Sequence, residues 1–486
     1  MSSTNTDKQV LDALRIVMDP EMGVNVVDLG LVESLNIAGS TVSVSLGMTS
    51  PACPVTPLIC RNAKEALLNT EGIETAEVSV AENFKWTPDR MTPFARQMLG
   101  AKPEDMVFTP GQATEPLTAG FKISEKTAWH RIPFLAFAMI CLVCGLWAGL
   151  VRLGWEWPLV KWYWLVVHGP MMVGGFLGTV IGLERAVGLG KEWATLAPLA
   201  AALGAVSFLV IESQPFTAAL ISIGSLFLSI IFMSILRNHL NLATLTMTLA
   251  AVCWLIGNLL WLSHSIIFLV VPWWIAFLVL TIAGERLELN QFLVPTKPTL
   301  ASFICCSAVI LAGCVVSVQN YDLGSRILAA GLFAIAIWLW IHDIARRTVK
   351  QQGLTRFTAV SLLMGYFWLV VAGIIGVYYG NQGAGVIYDA FIHSVFIGFV
   401  FSMIFGHAPI IFPSVLNRPL NYHSSFYIHL VMLHIGLVLR LIGNFGDGWE
   451  IRLWGGLIST AAVALFILNT VRSILFSTRG SQTSTP

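Results

Sequence analysis

Two histidines inside strongly apolar segments are the side chains of this sequence best placed to do chemistry. His168 and His393 lie at matching depths, about eight residues inside two predicted membrane helices. An ionisable side chain in hydrocarbon is costly unless it is paired or liganded, so each histidine is a candidate functional residue. Two neutral imidazoles on facing helices can ligate one haem iron, here expected to be of the b type. The alternative is two buried histidines that hydrogen-bond to backbone or serine oxygens.

Glycines follow both histidines, in HGPMMVGGFLG and HSVFIGFVF, and would leave room for a flat porphyrin. The number of residues between each histidine and the next repeat-position phenylalanine differs, however. His168 precedes Phe176 by eight residues, whereas His393 precedes Phe399 by six. Two residues rotate a helical position by about 200°, so the two histidines are not equivalent positions of a repeat.

The second, sixth and tenth predicted spans end alike, which indicates an internal repeat. In each span a phenylalanine precedes a polar residue by eight positions, and a glycine stands one or two positions before that polar residue. The pairs are Phe176 and Glu184, Phe277 and Glu285, and Phe399 and His407. The matches fall four spans apart, which favours three four-helix repeats. Chance similarity of Gly-rich and Phe-rich helices is the alternative.

The polar residues of this repeat form a second candidate site. Glu184, Glu285 and His407 can make an inner polar layer, a metal site that includes His407, or a proton path. Arg185 and Arg286 directly follow the two glutamates and would neutralise them in the alternative interpretation.

Two further histidines, His429 and His434, lie in the eleventh span and are candidate metal ligands. They stand five residues apart, so they do not share a helix face. At most one of them is expected to reach a common site.

Cys53 is the candidate reactive residue outside the apolar segments. It lies in a proline-flanked loop before a predicted helix. The dipole at a helix N-terminus favours the thiolate, which is the nucleophilic and metal-binding form of cysteine. An unreactive loop cysteine is the alternative.

The composition requires a membrane protein. Of 486 residues, 56% are hydrophobic and 11% are charged, with a mean hydropathy of +0.75. This excess of apolar residues predicts a multi-pass chain in contact with membrane lipid. A net charge of +1 without basic runs argues against nucleic acid as a partner. No nucleotide-binding loop or hydrolytic triad is found in the sequence, so ATP-driven work is not expected; whether the chain is an enzyme is left open.

The chain divides into three parts. Residues 1–100 have the patterns of a small α/β domain, residues 101–130 those of a linker, and residues 131–478 those of an all-α domain of about twelve transmembrane helices. The predicted spans are 132–152, 160–183, 194–212, 215–236, 242–262, 264–283, 300–318, 325–342, 357–379, 386–412, 424–443 and 452–476.

The first part contains helical and strand patterns. DKQVLDALRIVMD has helical spacing, and VESLNIAGSTVSVSLGM alternates as two strands of a hairpin around Gly39-Ser40. VTPLICRNAKEALLNT predicts a second helix and IETAEVSVA a third strand.

Basic residues predict the orientation of the spans. The loops after even-numbered spans contain Arg185, Lys191, Arg237, Arg286, Lys297, Arg346, Arg347, Lys350, Arg356 and Arg418. The loops after odd-numbered spans contain only Arg152, Lys161, Arg326, Arg440 and Arg452. The positive-inside rule therefore predicts a cytoplasmic (inner) membrane protein with both termini in the cytoplasm.

The helical part resembles the NnrS family of membrane proteins. The resemblance rests on HGPMMVGGF in the second span and on HSVFIGFVFSMIFGHAPIIFPSVLNRPL in the tenth. It implies haem, copper and a role in the response to nitric oxide. Histidines in the second and tenth of twelve spans are also similar to the low-spin haem ligands of the haem–copper oxidase core subunit. The paired histidines of that family's copper site have no counterparts in this sequence.

The N-terminal part resembles the PaaD/SufT-like domain of metal–sulfur cluster assembly. DPEMGVNVVDLGLV, TSPACP and VSVAENFKWTPDRMTPFARQMLG carry the resemblance. It implies that Cys53 handles iron or an iron–sulfur cluster and that Asp19 and Glu21 lie near it. Because clusters usually take four ligands, one cysteine requires a partner protein, a homo-oligomer or a transient role.

Three functions agree with these observations. The first is a haem-binding membrane protein of the nitric oxide response whose cytosolic domain assists iron–sulfur cluster assembly or repair. The second is an electron-transfer subunit with a bis-histidine haem and a protein partner. The third is a non-redox transporter or scaffold that recruits assembly factors.

Overall fold

The structure of the chain is a computed structural model, which describes residues 3–49, 53–81, 84–100, 128–158, 163–166, 168–380 and 383–476. A small α/β domain precedes an all-helical bundle, which confirms the predicted fold class. The predicted linker 101–130 lies outside the described residues except for its last three positions.

The α/β domain is built on a three-stranded sheet. Its elements are α1 (Ser3–Leu14), β1 (Val32–Ala38), β2 (Thr41–Leu46), α2 (Thr56–Leu68), β3 (Thr75–Val80) and α3 (Pro93–Leu99). β1 pairs with β2 in antiparallel register, and β2 pairs with β3 in parallel register. β2 is therefore the central strand, and its side chains Val42, Val44 and Leu46 are buried. They alternate with half-buried serines, as expected for a sheet covered on one face.

The bundle contains twelve helical segments that are long and apolar enough to cross a membrane. In chain order, spans 1 to 12 are Trp129–Leu153, His168–Leu189, Glu192–Val210, Gln214–Asn238, Leu242–His264, Ile267–Leu293, Lys297–Gln319, Tyr321–His342, Gly353–Tyr379, Gly385–Leu416, Phe426–Phe445 and Trp449–Leu475. Two short helices, Tyr163–Val166 and Ala345–Thr348, lie between spans. The chain is thus a multi-pass membrane protein.

Spans 2 and 10 share a departure from α-helical geometry. Met171–Leu177 in span 2 and Ser394–Phe401 in span 10 are π-helical. Wide π turns inside α-helices are rare and occur mostly at functional sites. Each π segment begins within three residues after a candidate histidine. Span 6 is α-helical from Ile267 to Leu289, so it lacks this feature of the other two repeat members. The three-repeat arrangement stays a prediction.

The α/β domain packs against one end of the bundle, called the docked end here; the opposite end is the distal end. Phe292, Ile344 and Ile410 of the bundle belong to the same apolar cluster as the core of the α/β domain. The indole of Trp86 contacts the ring of Phe292 with centroids 4.5 Å apart. Because Phe292 is 1% exposed, the domain covers it almost completely.

Hydrogen bonds to backbone carbonyls of the domain define its position on the bundle. Gln351 Nε2 donates to Met22 O at 3.0 Å, and Thr355 Oγ1 donates to Pro20 O at 3.0 Å. Gln291 Nε2 donates to Thr49 O at 3.1 Å. Ser414 Oγ donates to the Pro54 carbonyl. Apolar burial and directed hydrogen bonds therefore hold the domain in one orientation.

Replacing Phe292 by alanine is expected to loosen this contact. Truncation of a buried phenylalanine costs about 3–5 kcal/mol in protein cores. We expect amide hydrogen exchange of residues 24–31 to accelerate at least about tenfold, measured by mass spectrometry on the full chain. Phe367→Ala on the outer face of span 9, where the ring is 46% exposed, should leave this exchange unchanged. Equal exchange in both variants would contradict the docked arrangement.

Candidate functional site

The loop from Asp19 to Gly23, called the acidic loop, places two carboxylates at the docked end. Asp19 Oδ1 accepts hydrogen bonds from the amides of Glu21 and Met22, at 2.9 and 3.0 Å. Gly23 has a left-handed backbone with φ of +62°. A Cβ there would also overlap the side chain of Gln351. Glycine is thus required both by the turn and by the close approach of the bundle.

Cys53 lies beside the acidic loop, next to the start of α2. Burial raises the pKa of the Cys53 thiol to about 12, and the carboxylates of Glu21, Asp19 and Glu288 act in the same direction. The hydrogen bond with the Val55 backbone lowers the pKa by less than burial raises it. The expectation of an acidified thiol at a helix N-terminus is therefore wrong, because burial and nearby carboxylates outweigh the dipole.

The carboxylates of the acidic loop are also perturbed. Burial raises the pKa of Asp19 to about 6, and the Glu21 carboxylate adds to the increase. The two amide hydrogen bonds to Asp19 offset part of this increase. Burial also raises the pKa of Glu21, although the nearby Arg286 opposes this shift. Near neutral pH these groups therefore hold protons more readily than exposed carboxylates do.

A layer of charged side chains in the bundle lies directly under the acidic loop. Arg185 pairs with Glu184 at 3.0 Å and also with Glu285. Arg286 does not pair with the glutamate that precedes it. It makes a two-pronged ion pair with Asp343, at 2.7 and 3.2 Å. Both side chains of that pair are at most 3% exposed, so each charge depends on the other.

His407 is the contact between this layer and the α/β domain. Its Nδ1 donates to Met403 O at 2.8 Å, which leaves the lone pair on Nε2. That Nε2 lies 3.7 Å from Glu21 Oε1, which is longer than a hydrogen bond but within reach of a shared ion or proton. Glu184, Glu285 and His407, the three repeat positions, line one cavity of about 240 Å³, called the lateral cavity.

The two candidate haem ligands meet in another cavity, towards the distal end. His168 and His393 both line a space of about 380 Å³, called the distal cavity. His168 Nδ1 donates to Gly145 O at 2.6 Å. His393 Nδ1 donates to Asp389, where O lies at 2.9 Å and Oδ1 at 3.1 Å. Because Nδ1 is the donor in both rings, Nε2 is the nitrogen of each that is left to face a metal.

The distal cavity also carries positive charge. Among the described residues of its wall, three are arginines (Arg152, Arg440 and Arg452) and one, Asp389, is a carboxylate. Arg440 binds Asp389 through two hydrogen bonds of 2.9 and 2.6 Å, and Asn444 adds a third of 2.9 Å. The carboxylate is thus occupied, and two arginines remain to attract an anionic group.

His429 and His434 lie away from both cavity centres. His429 is wholly buried among aromatic rings, the nearest being Phe405 with a centroid distance of 4.8 Å. His434 Nδ1 accepts from Trp368 Nε1 at 2.9 Å. Within the described ranges, no group of three or more His, Cys, Asp or Glu side chains is arranged to hold a metal ion. The predicted metal roles of His407, His429, His434, Cys53, Asp19 and Glu21 stay predictions.

Sequence reasoning missed two residues that complete these sites. Asp343 and Asp389 are the buried partners of Arg286 and Arg440. The sequence signal was available for Asp389, which precedes His393 by four residues and so shares its helix face. Asp343 lies outside the predicted spans, and nothing in the sequence links it to Arg286.

Comparison with known protein families assigns both parts of the chain. A family model described as Domain of unknown function (DUF8744) matches residues 131–475. A model described as Iron-sulfur cluster assembly protein matches residues 7–80. The resemblance of the first part to SufT-like domains is confirmed. The NnrS resemblance of the bundle stays a prediction.

Individual relatives match the α/β domain. The Fe-S protein maturation auxiliary factor YitW of Bacillus subtilis is 34% identical over 94 residues, which is 19% of this chain and 92% of the relative. The auxiliary factor SufT of Staphylococcus aureus is 36% identical over 86 residues, which is 18% of this chain and 98% of the relative.

A third relative is described as a carrier. The iron-sulfur cluster carrier protein of Synechocystis is 38% identical over 90 residues, or 18% of this chain and 26% of the relative. The chain therefore belongs to the DUF8744 family through its helical bundle and to the Fe-S protein maturation auxiliary factors through its N-terminal domain.

Proposed function

We propose that this chain is a membrane-bound iron–sulfur maturation factor whose bundle holds the loops of the maturation domain at the membrane surface. The observation that carries the proposal is the position of Cys53, Asp19 and Glu21 together against the charged layer of the bundle. The maturation and carrier relatives supply the chemical class, which is assembly or carriage of iron–sulfur clusters.

The arrangement supports a transient role for Cys53. A thiol with a raised pKa is a poor permanent ligand, because metal binding requires the thiolate. Iron approaching Cys53 would favour release of the proton, and Asp19 or Glu21 can accept it. One cysteine does not complete a cluster, so an assembly partner or a second copy would supply the remaining ligands.

The orientation belongs to the same proposal. The α/β domain lies at the end of the bundle that the basic loops share, which agrees with both termini in the cytoplasm. Iron–sulfur clients and assembly partners would then reach the domain from that compartment.

Cys53→Ala is expected to abolish maturation. In cells that lack this chain, we expect the wild-type protein to restore the activity of a [4Fe–4S] dehydratase and Cys53→Ala to restore less than about a tenth of it. Cys305→Ala, which changes an exposed cysteine of span 7, should restore full activity. Immunoblots of the membrane fraction should show equal amounts of all three proteins. Full restoration by Cys53→Ala would rule out a role for this thiol.

The rate of alkylation of Cys53 measures the fraction of its thiol that is ionised. A pKa of about 12 instead of 9.0 reduces the thiolate fraction by about a thousandfold at pH 8. We expect iodoacetamide to modify Cys53 about a thousand times more slowly in the native protein than in the detergent-denatured protein. Phe292→Ala should accelerate the native reaction, since it loosens the docked domain. Fast modification of the native wild-type protein would contradict the raised pKa of the Cys53 thiol.

A second candidate function is haem binding in the distal cavity, favoured by the paired Nε2 lone pairs of His168 and His393. The fit extends to charge, because Arg152 and Arg452 can meet the carboxylates of a porphyrin. When bound, haem would supply one-electron chemistry. Asp389 would hold the His393 ring in its ligating tautomer, and Gly145 O would do the same for His168. Copper and the nitric oxide role implied by the NnrS resemblance stay predictions.

Absorption spectra test the haem assignment. Protein purified from haem-replete cells should show the sharp reduced α-band of a six-coordinate haem, and both His168→Ala and His393→Ala should lose it. His264→Ala, at the exposed end of span 5, should keep it. A wild-type band in either cavity variant would show that the iron ligands lie elsewhere. The maturation assay is independent of this result.

A further inference from the structure

We propose that the lateral cavity is a binding site for a membrane-soluble quinol, a flat aromatic ring with hydroxyl groups and an apolar tail. This site is separate from the distal cavity and from Cys53, and the inference does not depend on the proposed function. Its walls come from spans 1, 2, 6, 10 and 12, and they are mostly apolar. A membrane molecule can enter it from the lipid side, since Val471 in its wall is 46% exposed.

The end of the lateral cavity that is lined by Glu184, Glu285 and His407, called the polar end, favours ligands without negative charge. His407 Nε2 carries a lone pair, and Glu184 and Glu285 place two carboxylates beside the single guanidinium of Arg185. This end is rich in acceptors and negative in net charge. It therefore disfavours phosphate and carboxylate headgroups and favours a neutral group that donates O–H hydrogen bonds.

The same cavity has in its wall a buried hydroxyl that has no partner among the described residues. Thr470 is 3% exposed and lines the lateral cavity, and its Oγ1 has no hydrogen-bond partner among the residues that the structure describes. Leaving a buried hydroxyl unsatisfied costs free energy that a ligand oxygen would recover. Thr281 lines the same cavity at equal burial, but its Oγ1 already donates to Phe277 O at 2.7 Å.

Aromatic side chains favour a ring over a glycerol headgroup. Phe176, Phe401 and Phe466 line the lateral cavity, and the rings of Phe176 and Phe401 are nearly parallel, with an interplanar angle of 18°. Aromatic faces stack with a flat ligand ring. The centroids of Phe176 and Phe401 lie 6.2 Å apart, which leaves no space for a third ring between them, so a quinol ring would pack against the cavity-facing side of one of these aromatic side chains.

Photolabelling of the full chain tests the site. The protein in phosphatidylcholine nanodiscs is labelled, without oxygen, by a quinol whose tail carries a diazirine. Decylubiquinol then competes with the label, and mass spectrometry locates the labelled residues. We expect labelling of the wall residues Leu135, Met139 or Ile467 and its suppression by decylubiquinol.

Two matched variants decide whether the cavity binds the head of the molecule. Thr470→Val should raise the decylubiquinol concentration for half suppression roughly three- to tenfold, as expected for one lost hydrogen bond. For Thr281→Val this concentration should stay within about twofold of the wild-type value, because the Thr281 hydroxyl already donates to Phe277 O within its own helix. Oleate should not compete.

Three outcomes would overturn the proposal. The first is equal half-suppression concentrations for Thr470→Val and wild type. The second is competition by dioleoylglycerol as strong as that by decylubiquinol, which would indicate a general neutral-lipid site. The third is labelling that avoids the lateral cavity.

Discussion

The constraint on which the bundle depends is that every charge in its apolar interior needs a partner. An isolated ion in low dielectric costs many kcal/mol, whereas a hydrogen-bonded pair recovers most of this cost. The bundle meets this requirement with Arg185–Glu285 and Arg286–Asp343 near the docked end and with Arg440–Asp389 near the distal end. Each pair joins different spans. The ion pairs therefore favour particular helix neighbours. Glu285 lines the lateral cavity, and Arg440 and Asp389 line the distal cavity.

The lateral and distal cavities have part of their wall in common. Leu177, Phe401 and Val463 line both of them, so the lateral and distal cavities share a wall in the middle of the bundle. The π segments of spans 2 and 10 end at two of these residues, Leu177 and Phe401. A π turn widens the helix and shifts the direction of the side chains that follow. These segments thus shape the walls between a histidine pair and a polar layer.

The docked α/β domain adds a third site to this arrangement. Its acidic loop covers the charged layer, and Glu21 approaches His407 more closely than does any other carboxylate recorded for that ring in the described residues. Domain position and bundle charge are therefore coupled. A change in protonation of Asp19 or Glu21 would alter the electrostatic potential at the charged side chains of the bundle. A change in charge of the bundle would in turn alter the pKa of Cys53.

The sequence alone determined the fold class, because membrane helices need long apolar segments and the α/β domain has alternating strands. Its resemblance to maturation domains also came from contiguous motifs. The sequence identified His168 and His393 as candidate functional residues, because an ionisable side chain in an apolar membrane segment is costly without a partner or ligand. It also placed both histidines at one site, and the structure shows both lining one cavity. It did not predict the π segments that follow them, because a π turn leaves no mark in the residue pattern.

Tertiary structure alone decided the partners and the state of Cys53. Arg286 pairs with a distant aspartate in place of the neighbouring glutamate, since side chains from different spans meet only after packing. Cys53 has a raised pKa because burial and the carboxylates of Glu21, Asp19 and Glu288 outweigh the hydrogen bond with the Val55 backbone, and Glu288 belongs to the bundle. Local signals are readable from adjacent residues, whereas burial and charge pairing depend on which surfaces come together.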